Sequence, residues 1–351
     1  MDDFARMRAA DRVDLFQRVA NNRGLNPAII EKDFWVCWTL NRLFTLPKFP
    51  GGLLFKGGTS LSKVFNAIER FSEDIDLSFD RSGLGFGGEN DPLVGRTGKQ
   101  RKHGVEALIE ASRRMIREQL LPELGESFRT ALDQRSGGAE AWSVELAADD
   151  LDGQTILFHY PASILPHSAN EPAYIRPVVR LELGARSDHW PTIEGSVTPY
   201  AAEDFPGVFR TPSCRLKVLS AERTFWEKAT VLHTWYHAPE DKPFRDRQSR
   251  HYYDVARLYE KGIGKEAMKD VDLLLKVAKH KEVFFASSWA KYREARPGTL
   301  RLLPRPSRLE ELKRDFEIMR EMIFGQPPSF DHVLEVLREI ELQVNGKSEV
   351  E

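Results

Sequence analysis

KGGTSLSKVFNAIERFSEDIDL, residues 56–77, decides how the rest of the chain is read. It opens with Gly57-Gly58 and two hydroxyls, Thr59 and Ser60, at the start of a helical pattern. Glycine lets a backbone approach a phosphate closely, and N–H groups at a helix start attract anions. Lys56 and Lys63 flank the bend as further cations for an anionic ligand. The stretch ends in Asp74-Ile75-Asp76, within an alternating run that continues to Phe79. Residues two apart on a strand share a face, so Asp74 and Asp76 project one way and Ile75, Leu77 and Phe79 the other. Two carboxylates side by side repel unless a cation lies between them, and their hard oxygens suit Mg²⁺ or Mn²⁺. A spacer of helical length, Ser60 to Phe71, joins the two halves. A phosphate cradle followed by a metal-holding acid pair implies a nucleoside triphosphate (NTP) substrate and phosphoryl or nucleotidyl transfer. Singly, a Gly-Gly bend is also an ordinary turn and Asp-x-Asp an ordinary solvated strand face; their order and spacing carry the functional reading. The rival phosphate loop, Gly-x-x-x-x-Gly-Lys-Ser/Thr, does not fit this spacing.

Upstream, residues 1–46 read as helical. Asn26-Pro27 is a start signal, with Asn as cap and Pro at the first position. Ile30, Phe34, Cys37 and Trp38 follow at helical spacing, extended by Leu40 and Phe44. Lys32 and Asp33 lie on this helix and receive no chemical role. Pro47 and Pro50-Gly51-Gly52 end it, and Leu53-Leu54-Phe55 is a short strand leading into the cradle.

Downstream of Phe79, a glycine-rich polar loop runs to a basic group, Arg96, Lys99, Arg101, Lys102 and His103. Arg113, Arg114 and Arg117 continue it along a helix over about residues 103–121. This is either an RNA-contacting surface or a solvated face balanced by Glu106, Glu110 and Glu118. Alternation then predicts strands over 128–132, 142–146, 156–160 and 178–183; in the last, Val178, Arg180 and Glu182 share one face. A helix capped by Ser220 runs to Tyr236, and Lys228 lies beside its apolar stripe of Phe225, Ala229, Leu232 and Tyr236. There the lysine either reaches a triphosphate with its stem packed or pairs with Thr224 or an acid. A second helix sets Arg250 and Asp254 one turn apart, for which an i, i+4 ion pair is the ordinary explanation. Further helices are expected over 265–285, 309–324 and 330–344, the last capped by Ser329. Between them lie five arginines, at 293, 296, 301, 305 and 308, in a proline-bearing extended segment. That segment either holds an RNA backbone or wraps the protein's own surface, and Trp289 and Tyr292 beside it either stack on a base or join the core.

The 351 residues, 41% hydrophobic and 30% charged, describe an ordinary globular chain, long enough for two domains or for one domain with helical additions. A net charge of −2, from 51 basic and 53 acidic residues, leaves nucleic-acid contact to local patches. Cys37 and Cys214 are too few for a disulfide framework or a zinc site. Apolar runs fall far short of a membrane span and the start lacks a signal-peptide pattern, so no membrane partner and a cytoplasmic location are expected.

GGTSLSKVF followed by RFSEDIDLS resembles the AbiEii/AbiGii toxin family, a branch of the DNA polymerase β-like nucleotidyltransferases; the likeness covers about residues 25–260. The resemblance implies an α+β fold. Its parts are an N-terminal helical segment (1–48), a polymerase β-like core with a mixed sheet (49–214) and a C-terminal helical domain (215–351). It implies that Asp74 and Asp76 bind magnesium, with a third carboxylate on a neighbouring strand. Glu182 is the candidate, and a salt bridge to Arg180 is the rival explanation. It also implies that a Glu-Lys helix, Glu227-Lys228, and an Arg-x-x-x-Asp helix, Arg250 to Asp254, serve the active site. His251 stands where many members carry Asp.

The expected catalytic set is therefore Asp74, Asp76, Glu182, Lys228 and Asp254, with nucleotide held by Lys56, Gly57, Gly58, Thr59, Ser60, Lys63 and Arg250. Asp254 either orients cations on the triphosphate or takes a proton from the attacking hydroxyl. By resemblance the chain is the toxin of an AbiE-like toxin–antitoxin or phage-defence pair with a separately encoded antitoxin, transferring NMP from an NTP to RNA, a tRNA 3′ end first. The alternatives are adenylylation of a protein or small molecule, and a non-catalytic nucleotide-binding module.

Overall fold

The alternating run that carries the acid pair becomes the middle of a sheet. The computed structural model describes residues 1–46, 52–132, 141–164, 175–244 and 246–346. Two compact units emerge: Met1–Val64 with Ser72–Asn90 and Glu106–Val218, and Phe65–Phe71 with Asp91–Val105 and Leu219–Glu351.

In the first unit, helices α1 (Asp2–Ala5), α2 (Ala9–Arg23) and α3 (Pro27–Thr45) precede strand β1 (Leu53–Lys56), the short helix α4 (Gly57–Lys63) and strand β2 (Ile75–Phe79). Asn26 caps α3 by accepting from the Ala28 N–H at 2.9 Å, with Pro27 in its first turn. The expected terminators Pro47, Pro50 and Gly51 lie outside the described residues; α3 closes at Leu46. β3 (Ser143–Leu146), β4 (Thr155–His159), β5 (Val178–Glu182), β6 (Thr192–Val197) and β7 (Cys214–Leu219) complete the strands among the described residues. They form a mixed seven-stranded sheet of order β3-β4-β5-β2-β1-β7-β6. β2 runs antiparallel to β1 and parallel to β5. Ile75, Leu77 and Phe79 are buried, as the alternation requires, and so are Val179, Leu181 and Leu183. α3 supplies the aromatic packing: Trp38 meets Phe128 at 4.8 Å between ring centroids, and Phe128 meets Phe158 at 4.5 Å.

Two local expectations give way. Residues 128–132, expected as a strand, are the end of helix α6 (Leu121–Leu132), which follows α5 (Gly98–Met115) through a wide turn at Ile116–Leu120. The buried positions of α6 are Leu124, Phe128, Ala131 and Leu132, a three-to-four spacing that belongs to a helix. The spacer between the motifs is not one helix: α4 stops at Lys63, and Asn66 takes a left-handed φ of 47°, which asparagine tolerates better than most side chains. β6 and β7 are not among the expected strands, although β7 alternates buried Cys214, Leu216 and Val218 with exposed Arg215 and Lys217, a period-two pattern that marks a strand. α7 (Tyr200–Asp204) lies between them.

The second unit is helical: α8 (Ala221–Tyr236), α9 (Ser249–Glu260), α10 (Ile263–Ala267), α11 (Val271–Phe284), α12 (Leu309–Met319) and α13 (Phe330–Asn345) among the described residues. Ser220 caps α8 and Ser329 caps α13 through their side-chain oxygens. Phe225, Ala229 and Leu232 are wholly buried along α8. The Glu69–Phe71 segment is stitched in by backbone bonds, Phe71 N–H to Met322 O at 2.8 Å and Phe324 N–H to Glu69 O at 2.7 Å. Among the described residues no helix is long and apolar enough to cross a membrane.

Candidate active site

In the first unit β1 runs straight into α4 at Gly57, whose φ is +79°, a conformation that costs any residue with a Cβ. Space demands glycine there as well. A Cβ at that position would stand 1.8 Å from Asp76 Oδ2 and 2.5 Å from its Cγ. The Asp76 carboxylate thus lies directly over the Gly-Gly bend. The sheet register fixes its other neighbours, with Lys56 opposite it on β1 and Glu182 opposite it on β5. Opposed residues on adjacent strands present side chains to the same face, so Asp76 and Glu182 are flanking carboxylates.

Both acids reach solvent, with side chains 25% and 49% exposed. Lys56 Nζ stands 3.9 Å from Asp76 Oδ1, and Arg180 Nε lies 3.3 Å from Glu182 Oε1. The ion pair with Arg180 and the place beside Asp76 therefore coexist at Glu182. Asp74 is half-buried just before β2, and its carbonyl accepts from Thr59 Oγ1 at 2.5 Å. Thr59 also meets Ser72 Oγ at 3.0 Å, while Ser60 Oγ donates to Gly57 O at 2.8 Å. Both hydroxyls are buried and tie the cradle together; what the bend offers a phosphate is backbone.

Lys63 is turned away from any phosphate. Its ammonium lies 2.7 Å from Asp33 Oδ1, both side chains 5% exposed, and 3.7 Å from the centroid of the Tyr200 ring. Burial opposes its charge, but Asp33 more than offsets this and leaves its pKa raised. The helical register that makes Lys63 look like a neighbour of the bend instead points its stem inward from the last turn of α4.

Asp76 and Glu182, in register on β2 and β5, offer hard carboxylate oxygens of the kind a divalent cation takes. Mg²⁺ commonly takes one or two carboxylates and completes its shell with phosphate and water. Among the described residues no three His, Cys, Asp or Glu side chains are gathered into a cation cage.

In the second unit Asp254, wholly buried on α9, receives Arg70 through two bonds of 2.8 Å and Lys228 at 2.9 Å. Burial opposes its ionisation, yet Arg70 and Lys228 hold its carboxyl well below the usual carboxylate range. Burial lowers the Lys228 pKa, and Arg70 and Arg250 add to that against Asp254. Burial, with Lys228 and Arg250 next, keeps His251 well below its ordinary value and hence neutral. Arg250 is half-buried. Asp254 thus draws its cations from positions remote in sequence rather than from one turn away. Sequence reasoning gives Arg70 no role, although it sits inside the motif-bearing stretch. Nothing in its neighbours distinguishes a buried arginine from a solvated one.

The mixed sheet thus sets one carboxylate over a glycine bend with a second carboxylate beside it. A family model described as nucleotidyl transferase AbiEii toxin, type IV toxin–antitoxin system, matches residues 38–336, and the chain belongs to that family. It is accordingly a nucleotidyltransferase of the type IV toxin class. Among solved structures it is similar to MenT4, a nucleotidyltransferase toxin of Mycobacterium tuberculosis. The identity is 15%, the match covers 96% of this chain and 90% of that chain, and the TM-score is 0.48. No curated protein matches.

Proposed function

We propose that this enzyme moves a nucleoside monophosphate from an NTP to a hydroxyl at the 3′ end of RNA, a tRNA acceptor end first. It would do so as the toxin of a phage-defence pair restrained by a separately encoded antitoxin. The observation that carries the transfer chemistry is the seat of Asp76 over Gly57 and beside Glu182. Asp74, Asp76 and Glu182 would hold Mg²⁺ or Mn²⁺, which when bound neutralises charge developing on the phosphates. The Gly57-Gly58 backbone admits the triphosphate, with Lys56 beside it. Lys228 and Arg250 bind phosphate oxygens as cations. Asp254, already committed to two cations, orients Lys228 rather than accepting a proton. The acceptor hydroxyl gives its proton to solvent water and its oxygen bonds to the α-phosphorus as the α–β bridging P–O bond breaks, releasing pyrophosphate.

RNA as acceptor rests on the family resemblance; exposed Arg96, Lys99, Arg114 and Arg117 along α5 and its ends add little, because equally exposed Glu106, Glu110 and Glu118 are interspersed with them. The arginine-rich 293–308 segment supports it less. Arg293 pairs with Glu282 at 2.7 Å, Arg301 with Glu341 at 3.5 Å and Arg308 with Glu311 at 2.8 Å. Trp289 is covered by Lys242 at 3.8 Å. An RNA acceptor makes the cytoplasm the place of action.

The test is incubation with each α-labelled NTP and Mg²⁺, with total RNA or lysate protein as acceptor. Label on RNA supports the proposal. Label on protein alone moves the acceptor to a side chain, and label on neither, with NTP still bound, leaves a nucleotide-binding module.

A further inference from the structure

Glu31, Lys32 and Asp33 are three consecutive charged residues on α3, exposed by only 1%, 3% and 4%. They lie just before the segment that the family model matches. Burying a charge is costly unless it is paired, and here each has its own partner. Successive helical positions turn by roughly 100°, so the three side chains fan around α3 and reach different segments. Glu31 accepts from Ser163 N–H at 2.7 Å, Ser163 Oγ at 2.6 Å and Ile164 N–H at 2.9 Å, beyond the end of β4. Lys32 Nζ meets Glu73 Oε2 at 2.5 Å and Arg176 O at 3.1 Å. Asp33 takes Lys63 at 2.7 Å and the Tyr200 N–H, also at 2.7 Å.

Two of these contacts land on the nucleotide site. Glu73 directly precedes Asp74, and Lys63 ends the seven-residue helix that begins at Gly57. We infer that Lys32 and Asp33 are positioning residues which brace the two halves of the site from one rigid helix, Lys32 through Glu73 for the acid strand and Asp33 through Lys63 for the glycine bend. The polarity of the two braces is opposite. Lys32 offers a cation to the acid segment and Asp33 an anion to the cradle helix, so neither can slip onto the other's partner.

Stability alone does not account for such pairs. Replacing a buried ion pair with neutral groups of similar volume is often neutral or stabilising. α4 is short and meets the Asp74 segment through the Thr59 hydroxyl, so its orientation depends on where its last turn is held. Displacements on the order of 1 Å at a reacting centre cost about a hundredfold.

The inference rests on the nucleotide-site reading proposed above. Asp33→Asn/Lys63→Met keeps an acceptor for the Tyr200 N–H and the volume of the lysine stem; Lys32→Met/Glu73→Gln does the same for the other brace. Each is measured by thermal unfolding, by calorimetric binding of the four α,β-methylene NTP analogues, and by Mn²⁺ binding followed by electron paramagnetic resonance. The expected result is unfolding near that of the parent. The first variant weakens analogue binding and raises the NTP KM by about tenfold to a hundredfold. The second chiefly weakens Mn²⁺ binding. Variants that fold and bind both probes like the parent overturn the inference, whereas a parent that binds neither overturns the nucleotide-site reading instead. Should a double variant not fold, Glu73→Gln alone, at a side chain 15% exposed, is put to the same Mn²⁺ measurement, and parental binding there overturns the brace.

Discussion

Gly57→Ala should cripple transfer far more than it destabilises the fold. Alanine at a φ of +79° pays about 1–2 kcal/mol for the left-handed backbone. Gly24 closes α2 at φ +63°, and a Cβ added there would meet nothing within 4 Å. Alanine at that position carries the same conformational cost and nothing more, so Gly24→Ala is the matched control. At Gly57 the new methyl meets Asp76 Oδ2 at 1.8 Å, where real contacts do not fall below 3.0 Å, so the carboxylate must leave its seat. A displacement on the order of 1 Å at a reacting centre costs about a hundredfold in rate, or roughly 2.7 kcal/mol in the barrier. The assay is the initial rate of label transfer at saturating NTP, with thermal unfolding of both variants alongside. Similar unfolding shifts with a rate loss confined to Gly57→Ala are expected. Parental transfer by Gly57→Ala would show that the carboxylate over the bend takes no part in the chemistry.

Asp76→Asn keeps the shape of the side chain but removes its charge, and transfer should fall below detection; Glu182→Gln should reduce it less and raise the Mn²⁺ concentration needed, read from a metal titration of labelling. Because the folded Asp254 carboxyl lies well below its unfolded value, its stabilisation is complete above about pH 5 and fades as pH falls through the ordinary carboxylate range and below. The unfolding difference between parent and Asp254→Asn should accordingly be flat from pH 8 to 5 and shrink under more acidic conditions. Arg70→Met leaves Lys228 as the remaining ion-pair partner of a buried acid, and breaking a buried pair costs about 3–5 kcal/mol, measurable as a lower denaturant midpoint. His189 and His233 are each pushed down by burial to about 4, so the unfolded chain binds more protons below about pH 6.5. Stability should then decline from pH 6.5 towards 4, and His233→Gln should flatten part of that decline in a pH series of thermal melts.

What could be read from the chain was set by neighbours in sequence. The Asn26, Ser220 and Ser329 caps, the buried alternation through Ile75, Leu77 and Phe79, and the apolar stripe of α8 depend on offsets of two to four residues, which backbone geometry fixes locally. Where the same rules misled, a tertiary contact or a competing period prevailed. Phe128 and Leu132 fit a strand until Leu124 and Ala131 are seen to be buried with them. Lys63 reads as a phosphate cation until Asp33, thirty positions earlier, is placed beneath it.

The sequence by itself determined the glycine bend, the alternating strand that carries Asp76 and the capped helices, because each is a pattern short enough for local geometry to enforce. Only the tertiary structure decided that Asp76 stands over Gly57 and beside Glu182, that Arg70 and Lys228 share Asp254, and that Lys32 and Asp33 are buried. Those placements depend on strand order, register and long-range charge pairing, where the cost of burying a charge is met by a partner distant in the chain.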